Sequence, residues 1–257
     1  DKDVTIEKYW EVDDLFSTNG NHSACLSDIE HLDQLEKELE QAVLLRMRGD
    51  VPFGAFLSGG IDSSLVTAFM QKHSTTPIET FSIGFEEKFL DEAPMAREVA
   101  RYLGTRHHEI YVTPSECRDL ATELSEIFDE PFADPSAIPT RLVAGKARNN
   151  VTVALTGDGG DELFKGYNRH IWGPRAFKCQ GWIPKALRNN FASTIEILGS
   201  DDLEIFWSKL FQFLPKKHKH LAIGHKIKKF SLMLRSSSYP EAYKYLTNII
   251  DVSGSDI

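Results

Sequence analysis

The stretch of sequence that decides the fold reads Leu57-Ser58-Gly59-Gly60-Ile61-Asp62-Ser63-Ser64. It ends a short apolar run that begins at Val51, and it leads into residues 63–71, whose pattern predicts a helix. Two glycines let the backbone approach a ligand closely, and the free N–H groups at a helix start carry partial positive charge. The stretch therefore predicts a strand, a tight turn and an anion site at the start of a helix.

The side chains of this turn indicate which anion it binds. Ser58, Ser63 and Ser64 supply hydroxyl donors for phosphate oxygens. Asp62 would repel a bare phosphate, so its position indicates a bridging Mg²⁺ ion. The P-loop pattern GxxxxGK[ST] is absent and no lysine is adjacent, which excludes that class of nucleotide site. A turn that merely caps a helix is the alternative, and it explains the complete stretch poorly.

Strand and helix patterns alternate on both sides of this turn. Strands are predicted at 51–57, 78–85, 107–112 and 151–155, and helices at 92–103, 114–128 and 137–149. An amphipathic helix is expected before them, from Asp28 as its N-cap to a stop at Gly49, with its apolar face formed by Ile29, Leu32, Leu35, Leu39 and Val43. The alternation predicts an α/β fold, a Rossmann-like parallel sheet with helices on both faces. Such sheets bind ligands at the carboxyl ends of their strands.

A second glycine-rich turn, Thr156-Gly157-Asp158-Gly159-Gly160-Asp161-Glu162, follows the last predicted strand. Asp158 and Asp161 are three residues apart at a predicted helix start, so both can face one site. An N-cap with an acidic first turn would explain either residue alone, but it explains the pair less well. His107 and His108 are expected to point to opposite faces of a strand, which argues against a shared metal ion.

Composition and charge exclude several classes of protein. The chain has 257 residues and a net charge of −9, which argues against a general nucleic-acid coat. No apolar run approaches the ~18 residues of a membrane span, and no secretory signal is visible. Three cysteines without paired spacing suit a reducing compartment, so we expect a cytoplasmic protein. The region 174–257 is expected to be helical, with helices at 203–214 and 241–250.

The turn at 57–64 resembles the PP-loop of the ATP pyrophosphatases. Together with Phe81–Phe85, Leu103–Glu109 and Thr156–Phe164, it resembles the synthetase domain of glutamine-dependent asparagine synthases, which the β-lactam synthetases share. The resemblance covers residues 28–173 and implies the fold of the adenine nucleotide alpha-hydrolases. It further implies that 1–28 is a linker from an absent N-terminal glutaminase domain, that 29–173 is the ATP-binding core, and that 174–257 is a truncated helical region.

The resemblance implies an ATP-dependent, amide-forming ligase with ATP and Mg²⁺ as cofactors. A substrate carboxylate attacks the α-phosphate of ATP, pyrophosphate leaves, and ammonia from the glutaminase domain then displaces AMP. L-aspartate is the expected acceptor, giving asparagine. The alternatives are the same chemistry on another carboxylate, such as a surface-polysaccharide sugar or a β-lactam precursor, or a nucleotide-binding module without catalysis. No nucleic-acid or membrane partner is expected, and a homodimer is left open.

The resemblance also assigns roles to individual residues. ATP and pyrophosphate binding falls to Leu57, Ser58, Gly59, Gly60, Asp62, Ser63, Ser64, Ile83, Gly84, Asp91, Thr156 and Gly157, with Leu57, Ile83 and Gly84 forming the adenine slot. Mg²⁺ binding falls to Asp62 and Asp161. Asp158 and Glu162 are the catalytic candidates, and Asp158 stands where asparagine synthases usually have the Glu that takes a proton from ammonia. Ser136 is a candidate contact to the acceptor, although a rigid turn explains it equally well.

Overall fold

Four parallel strands form the sheet at the centre of the fold. A computed structural model of the chain describes residues 5, 7–11, 26–86, 91–129, 134, 136–197 and 223–247. The strands are β1 (Phe53–Phe56), β2 (Glu79–Phe85), β3 (Arg106–Val112) and β4 (Val153–Leu155), in the spatial order β3-β2-β1-β4. Since all three pairings are parallel, the carboxyl ends of the strands lie at one edge of the sheet.

The central strand β1 is paired on both sides. Phe56 lies opposite Phe81 of β2, and Ala55 lies opposite Leu155 of β4. The pairing with β2 continues beyond β1, because the backbone N–H of Leu57 donates to the carbonyl of Phe81 at 2.8 Å. The chain therefore stays fixed to the sheet up to the residue before Ser58.

Helices cover both faces of this sheet, as the alternating pattern predicts. They are α1 (Asp28–Arg46), α2 (Ile61–Lys72), α3 (Ala93–Leu103), α4 (Pro114–Ile127) and α5 (Ala137–Ala147). On one face, Ala55 packs with Phe69 and Met70 of α2, and Leu57 packs with Ala96 and Ala100 of α3. On the opposite face, Phe81 packs with Val143 and Ala147 of α5. The predicted Rossmann-like parallel sheet with helices on both faces is confirmed.

The first helix differs from the prediction at its start and on its apolar face. Ser27, not Asp28, is the N-cap: its hydroxyl accepts from the Glu30 backbone N–H, and the Glu30 carboxylate accepts from the Ser27 N–H at 2.7 Å. Ile29 and Leu32 are 71% and 64% exposed, whereas Val43 is buried against α2. Among the described residues, the apolar face of α1 packs on the core only in its second half, through Leu39 and Val43.

The chain divides into two compact units, Asp1–Gly157 and Asp158–Ile257. The second unit is helical, with α6 (Gly160–Phe164), α7 (Asn168–Gln180), α8 (Lys185–Ile197), α9 (Ile223–Arg235) and α10 (Tyr239–Thr247). Its core includes Ala192, Met233 and Ala242, each at most 1% exposed. This confirms the helical C-terminal region, while the bounds 1–28, 29–173 and 174–257 stay predictions.

Two of the helices predicted in the C-terminal region lie wholly or partly outside the described residues. The helix predicted at 203–214 lies outside them. The helix predicted at 241–250 corresponds to α10, which begins two residues earlier and is described to Thr247. Within the described part of the chain, no helix combines the length and the apolar character needed to cross a membrane.

Gly104 ends α3 in a left-handed conformation, with φ of 75°, and a Cβ at this position would meet no heavy atom within 4 Å. Gly104→Ala should therefore lower the free energy of unfolding by about 1–2 kcal/mol, through backbone strain alone. Gly49→Ala is the matched control, since Gly49 has equal space and no left-handed φ. Urea denaturation measures both, and equal midpoints for the two variants would contradict the assignment of strain to Gly104.

Candidate functional site

The turn after β1 lies directly against the start of α3. Gly59 has φ of +81°, and a Cβ built on it would lie 2.6 Å from Cγ of Met95 and 2.8 Å from the backbone nitrogen of Ala96. Both the conformation and the space therefore require glycine at this position. Asp91 fixes the start of α3 from the other side, because its Oδ1 accepts from the Ala93 N–H at 3.2 Å.

Helix α2 begins without a side-chain cap. Gly60 is its N-cap residue and offers no side-chain oxygen to the first backbone N–H groups. In contrast, α1 and α4 each begin with a complete capping box, formed by Ser27 with Glu30 and by Thr113 with Glu116. The uncapped N–H groups and the helix dipole make the start of α2 suited to an anion.

Hydrogen bonds between serines hold the turn in shape. The hydroxyls of Ser58 and Ser63 hydrogen-bond each other at 3.0 Å, and the Ser58 N–H donates to the Ser63 hydroxyl at 3.2 Å. The Gly60 N–H donates to the Ser58 hydroxyl at 3.2 Å. Ser63 is only 8% exposed, so its hydroxyl supports the turn from inside. The buried Oγ of Ser64 has no hydrogen-bond partner among the described residues.

The end of β4 meets the same turn. A Cβ built on Gly157 would lie 2.7 Å from the backbone nitrogen of Ser63 and 3.0 Å from Cβ of Asp62. Thr156, the residue before it, is half-buried. Two stretches that are about 100 residues apart in sequence therefore come together here, as the parallel sheet predicts.

The three residues expected to form an adenine slot have different surroundings. The side chain of Leu57 is 1% exposed and belongs to the core beneath α3, whereas Ile83 is half-buried. Gly84 is buried, and a Cβ built on it would lie 2.7 Å from Cε1 of Tyr111. Tyr111, which is 53% exposed, thus fills the space beside Gly84. The slot itself stays a prediction.

Sequence reasoning missed Tyr111 because only the register reveals it. Gly84 of β2 pairs with Tyr111 of β3, so the two residues share a face of the sheet. The Tyr111 hydroxyl donates to Glu109, and Arg97 of α3 forms an ion pair with Glu109 at 2.5 Å. The alternation of apolar and polar residues could have placed Tyr111 on a face, but not opposite a given residue of β2.

Ser136 lies at the start of α5, where its hydroxyl and its backbone N–H both donate to Oδ1 of Asp134, at 2.7 and 2.9 Å. These bonds hold the pKa of Asp134 below its usual range. Residues 130–133 and 135, which precede Ser136 in the chain, lie outside the described residues. The rigid-turn reading of Ser136 therefore has a structural basis, and its contact with an acceptor stays a prediction.

Within the second unit, the acidic turn leads into the short helix α6. Gly159, with φ of +90°, precedes the helix, and Asp158 beside it is exposed. A Cβ built on Gly166 would lie 1.6 Å from Oδ1 of Asp161, so this glycine makes room for the Asp161 carboxylate. Any larger residue at position 166 would therefore collide with Asp161.

Glu162 is held by a group of side chains that sequence reasoning did not identify. The Tyr167 hydroxyl donates to Oε1 of Glu162 at 2.6 Å, and this bond keeps the pKa of Glu162 below its usual range. The guanidinium of Arg169 lies 3.7 Å from the centre of the Tyr167 ring, and its Nε donates to the hydroxyl of Tyr243 in α10. Glu162 is thus prepared as an ionised carboxylate.

The two adjacent histidines point to opposite faces of β3, as expected. His107 hydrogen-bonds the hydroxyls of Thr80 and Ser82, at 3.0 and 3.1 Å. His108 hydrogen-bonds Glu79 at 2.6 Å and stacks on Phe81. Within the described ranges, no group of three His, Cys, Asp or Glu side chains is placed to hold a metal ion.

Burial lowers the pKa of His107 below its usual 6.5. The folded state then binds fewer protons than the unfolded state, so stability present above pH 6.5 is lost as the pH falls through the lowered pKa. We expect the free energy of unfolding to fall with acidification in this window, and to fall less steeply in His107→Gln. Urea denaturation at several pH values measures the slope, and identical slopes in the two proteins would contradict the role of His107.

Comparison with known proteins connects this geometry to a family. A sequence model of the family described as asparagine synthase matches residues 34–249. A protein of Methanocaldococcus jannaschii, provisionally named asparagine synthetase [glutamine-hydrolyzing] 2, is 44% identical over 181 residues, which are 70% of this chain and 33% of that protein.

Two further relatives carry related names. Asparagine synthetase [glutamine-hydrolyzing] 1 of Bacillus subtilis is 44% identical over 53% of this chain and 22% of its own length. Asparagine synthetase [glutamine-hydrolyzing] of Asparagus officinalis is 37% identical over 52% of this chain and 24% of its own length. The chain thus spans between 22% and 33% of these curated relatives. Since the family match covers most of the chain, the chain belongs to the asparagine synthase family.

Proposed function

We propose that this member of the asparagine synthase family is the ATP-dependent, amide-forming part of an asparagine synthetase. The observation that carries the proposal is the uncapped start of α2, which follows a turn fixed by Gly59 at the carboxyl edge of a parallel sheet. The names of the relatives support the same reaction class. Under this proposal, residues 29–173 form the ATP-binding core and the reaction takes place in the cytoplasm.

The proposed reaction has two steps. A carboxylate oxygen of L-aspartate attacks the α-phosphorus of ATP, the bond to the β-phosphate oxygen breaks, and pyrophosphate leaves. The nitrogen of ammonia then attacks the acyl carbon, AMP leaves with the bonding oxygen, and the nitrogen gives up a proton. Neither step is an oxidation or a reduction. The protein therefore has to supply only hydrogen-bond donors to the phosphates, a cation and a proton acceptor.

The turn after β1 and the start of α2 would supply the hydrogen-bond donors to the phosphates. Ser58, Gly59 and Gly60 would lie against pyrophosphate, and the uncapped N–H groups in the first turn of α2 would donate to it. The N–H groups of Ser58 and Gly60 already donate to the Ser63 and Ser58 hydroxyls, so they hold the turn in shape. The remaining residues of the proposed ATP site are Leu57, Asp62, Ser63, Ser64, Ile83, Gly84, Asp91, Thr156 and Gly157. Because the Ser58–Ser63 hydrogen bond already fixes the turn, little reorganisation is needed when the anion binds.

The residues of the turn fit Mg²⁺. An ion that accompanies a nucleotide is held by one or two carboxylates together with phosphate oxygens, so a group of three protein ligands is not required. Asp62, in the first turn of α2, accepts no hydrogen bond from any described residue. Two residues further along the helix, the Ser64 hydroxyl is buried and has no partner among the described residues. Asp62 and Asp161 would hold the ion, which neutralises phosphate charge when it is bound.

The carboxylates of the second glycine-rich turn would act when ammonia attacks and its nitrogen loses a proton. Asp158 would accept it from the attacking ammonia, and the ionised Glu162 would stabilise the positive charge that forms on nitrogen. Asp158 is one methylene shorter than the Glu usual at this position. This difference favours a second candidate function, the same chemistry on a carboxylate other than aspartate, such as that of a sugar or a β-lactam precursor.

Pyrophosphate release from Mg-ATP tests the proposal. We expect release that depends on L-aspartate, and its loss in Asp161→Asn but not in Asp119→Asn, an exposed aspartate of α4. Release that depends on another carboxylate would support the second candidate. ATP binding without release from any carboxylate would instead indicate a nucleotide-binding module, and a chain that binds no ATP would contradict all three.

Arg169 should act as a positioning residue for Glu162. The charge of Arg169 helps to lower the pKa of Glu162, so Arg169→Ala should shift the acidic limb of the pH profile for amide formation upward. We expect kcat to fall by less than about tenfold with KM for ATP unchanged, because Glu162 would stabilise the positive charge on nitrogen and would not bind ATP. Arg169→Lys should restore the pH profile, since it keeps the charge.

The control for this prediction is Arg175→Ala. Arg175 also lies near an aromatic ring, 5.4 Å from the centre of Trp172, but it does not contribute to the pKa of Glu162. A merely structural role of Arg169 would lower activity equally at every pH, and that result would contradict the positioning role.

A further inference from the structure

A cavity in the second unit lies outside the residues assigned to the nucleotide. It has a volume of about 260 Å³ and lies where α7 ends, α8 begins and α9 leads into α10. Three of its lining side chains are cationic: Lys185, Arg188 and Arg235. Among the described residues, none of those that line the cavity is acidic. The charge of the lining therefore favours an anion.

The side chains, not the helix dipoles, determine this preference. Two helix ends and two helix starts meet around the cavity, so their partial charges oppose one another. Glu241 at the start of α10 is engaged by Ser237, whose backbone N–H and hydroxyl both donate to its Oε2 at 2.8 Å. Arg235 donates from Nη2 to the Ser193 hydroxyl at 2.7 Å, which holds its guanidinium in place.

Buried polar atoms around the cavity lack partners. Gln180 and Ser236 are 3% and 4% exposed, and both line the cavity. Oε1 of Gln180, Oγ of Ser236 and Nε of Arg188 have no hydrogen-bond partner among the described residues. A buried polar atom without a partner is costly, so such a group marks a place where a bound molecule completes the hydrogen bonding.

We propose that this cavity binds a small phosphate monoester that also carries a hydroxyl group. The cationic groups of Lys185 and Arg188 match the double negative charge of a phosphate monoester. Ser236 and Nε of Arg188 can donate to its oxygens, whereas Oε1 of Gln180 can only accept and so requires a donor such as a hydroxyl. The volume is below that of typical drug-sized sites, which limits the ligand to a phosphate and a few carbon atoms.

Calorimetric titration of the chain with glycerol 3-phosphate and with inorganic phosphate tests the proposal. We expect glycerol 3-phosphate to bind more tightly, and Gln180→Met to remove that difference, because methionine keeps the volume but lacks the acceptor. Lys185→Glu should weaken both ligands by roughly tenfold or more. Lys185 is exposed, so this variant leaves the core intact. Arg188→Gln should have the same effect.

Lys178→Glu is the matched control, since Lys178 is exposed on α7 and does not line the cavity. It should change both affinities by less than about twofold at physiological salt. Equal weakening in Lys178→Glu and Lys185→Glu would show a general charge effect and overturn the proposal. Phosphate binding that is lost in Ser58→Ala but kept in Lys185→Glu would place the anion at the turn after β1 and also overturn it. Failure of both ligands to bind would do the same.

Discussion

Two backbone contacts that leave no room for a side chain hold the turn after β1 in place. Gly59 lies against the start of α3, and Gly157 at the end of β4 lies against the start of α2. One contact joins the turn to a helix that covers the sheet and the other joins it to the segment after β4, so the position of the turn is a consequence of the whole α/β packing. The turn is therefore formed by folding itself, before any ligand arrives, which favours the anion site proposed for it.

The helices of this protein differ in how their first backbone N–H groups are capped. Capping boxes formed by Ser27 with Glu30 and by Thr113 with Glu116 close the starts of α1 and α4, whereas α3, α5 and α7 begin without a side-chain cap. The start of α2 therefore differs from the others by the rigid glycine turn that precedes it, not by the missing cap alone. Gly60 leaves the start of α2 open while the buried Ser63 hydroxyl supports the turn. An open start in a rigid turn is unfavourable for stability and favourable for binding, which is the pattern expected of a functional site.

The sequence alone predicted the order of strands and helices, because apolar periodicity and glycine positions are local signals. It did not predict which residues lie opposite one another. Tyr111 fills the space beside Gly84 through the register of β2 and β3, and a register depends on contacts between distant segments. The exposed Ile29 and Leu32 show the same limit, since periodicity predicts an amphipathic face but not whether a partner covers it.

The acidic turn shows why residue identity does not settle a chemical role. Asp158, Asp161 and Glu162 look equivalent in the sequence, but their environments differ. The Asp161 carboxylate occupies the space left by the missing side chain of Gly166, whereas Glu162 accepts a hydrogen bond from Tyr167, whose ring is covered by Arg169. Arg169 in turn depends on Tyr243, 74 positions away. Because these contacts favour the charged form of Glu162 and lower its pKa, its carboxylate is suited to stabilising a nearby positive charge rather than to taking up a proton.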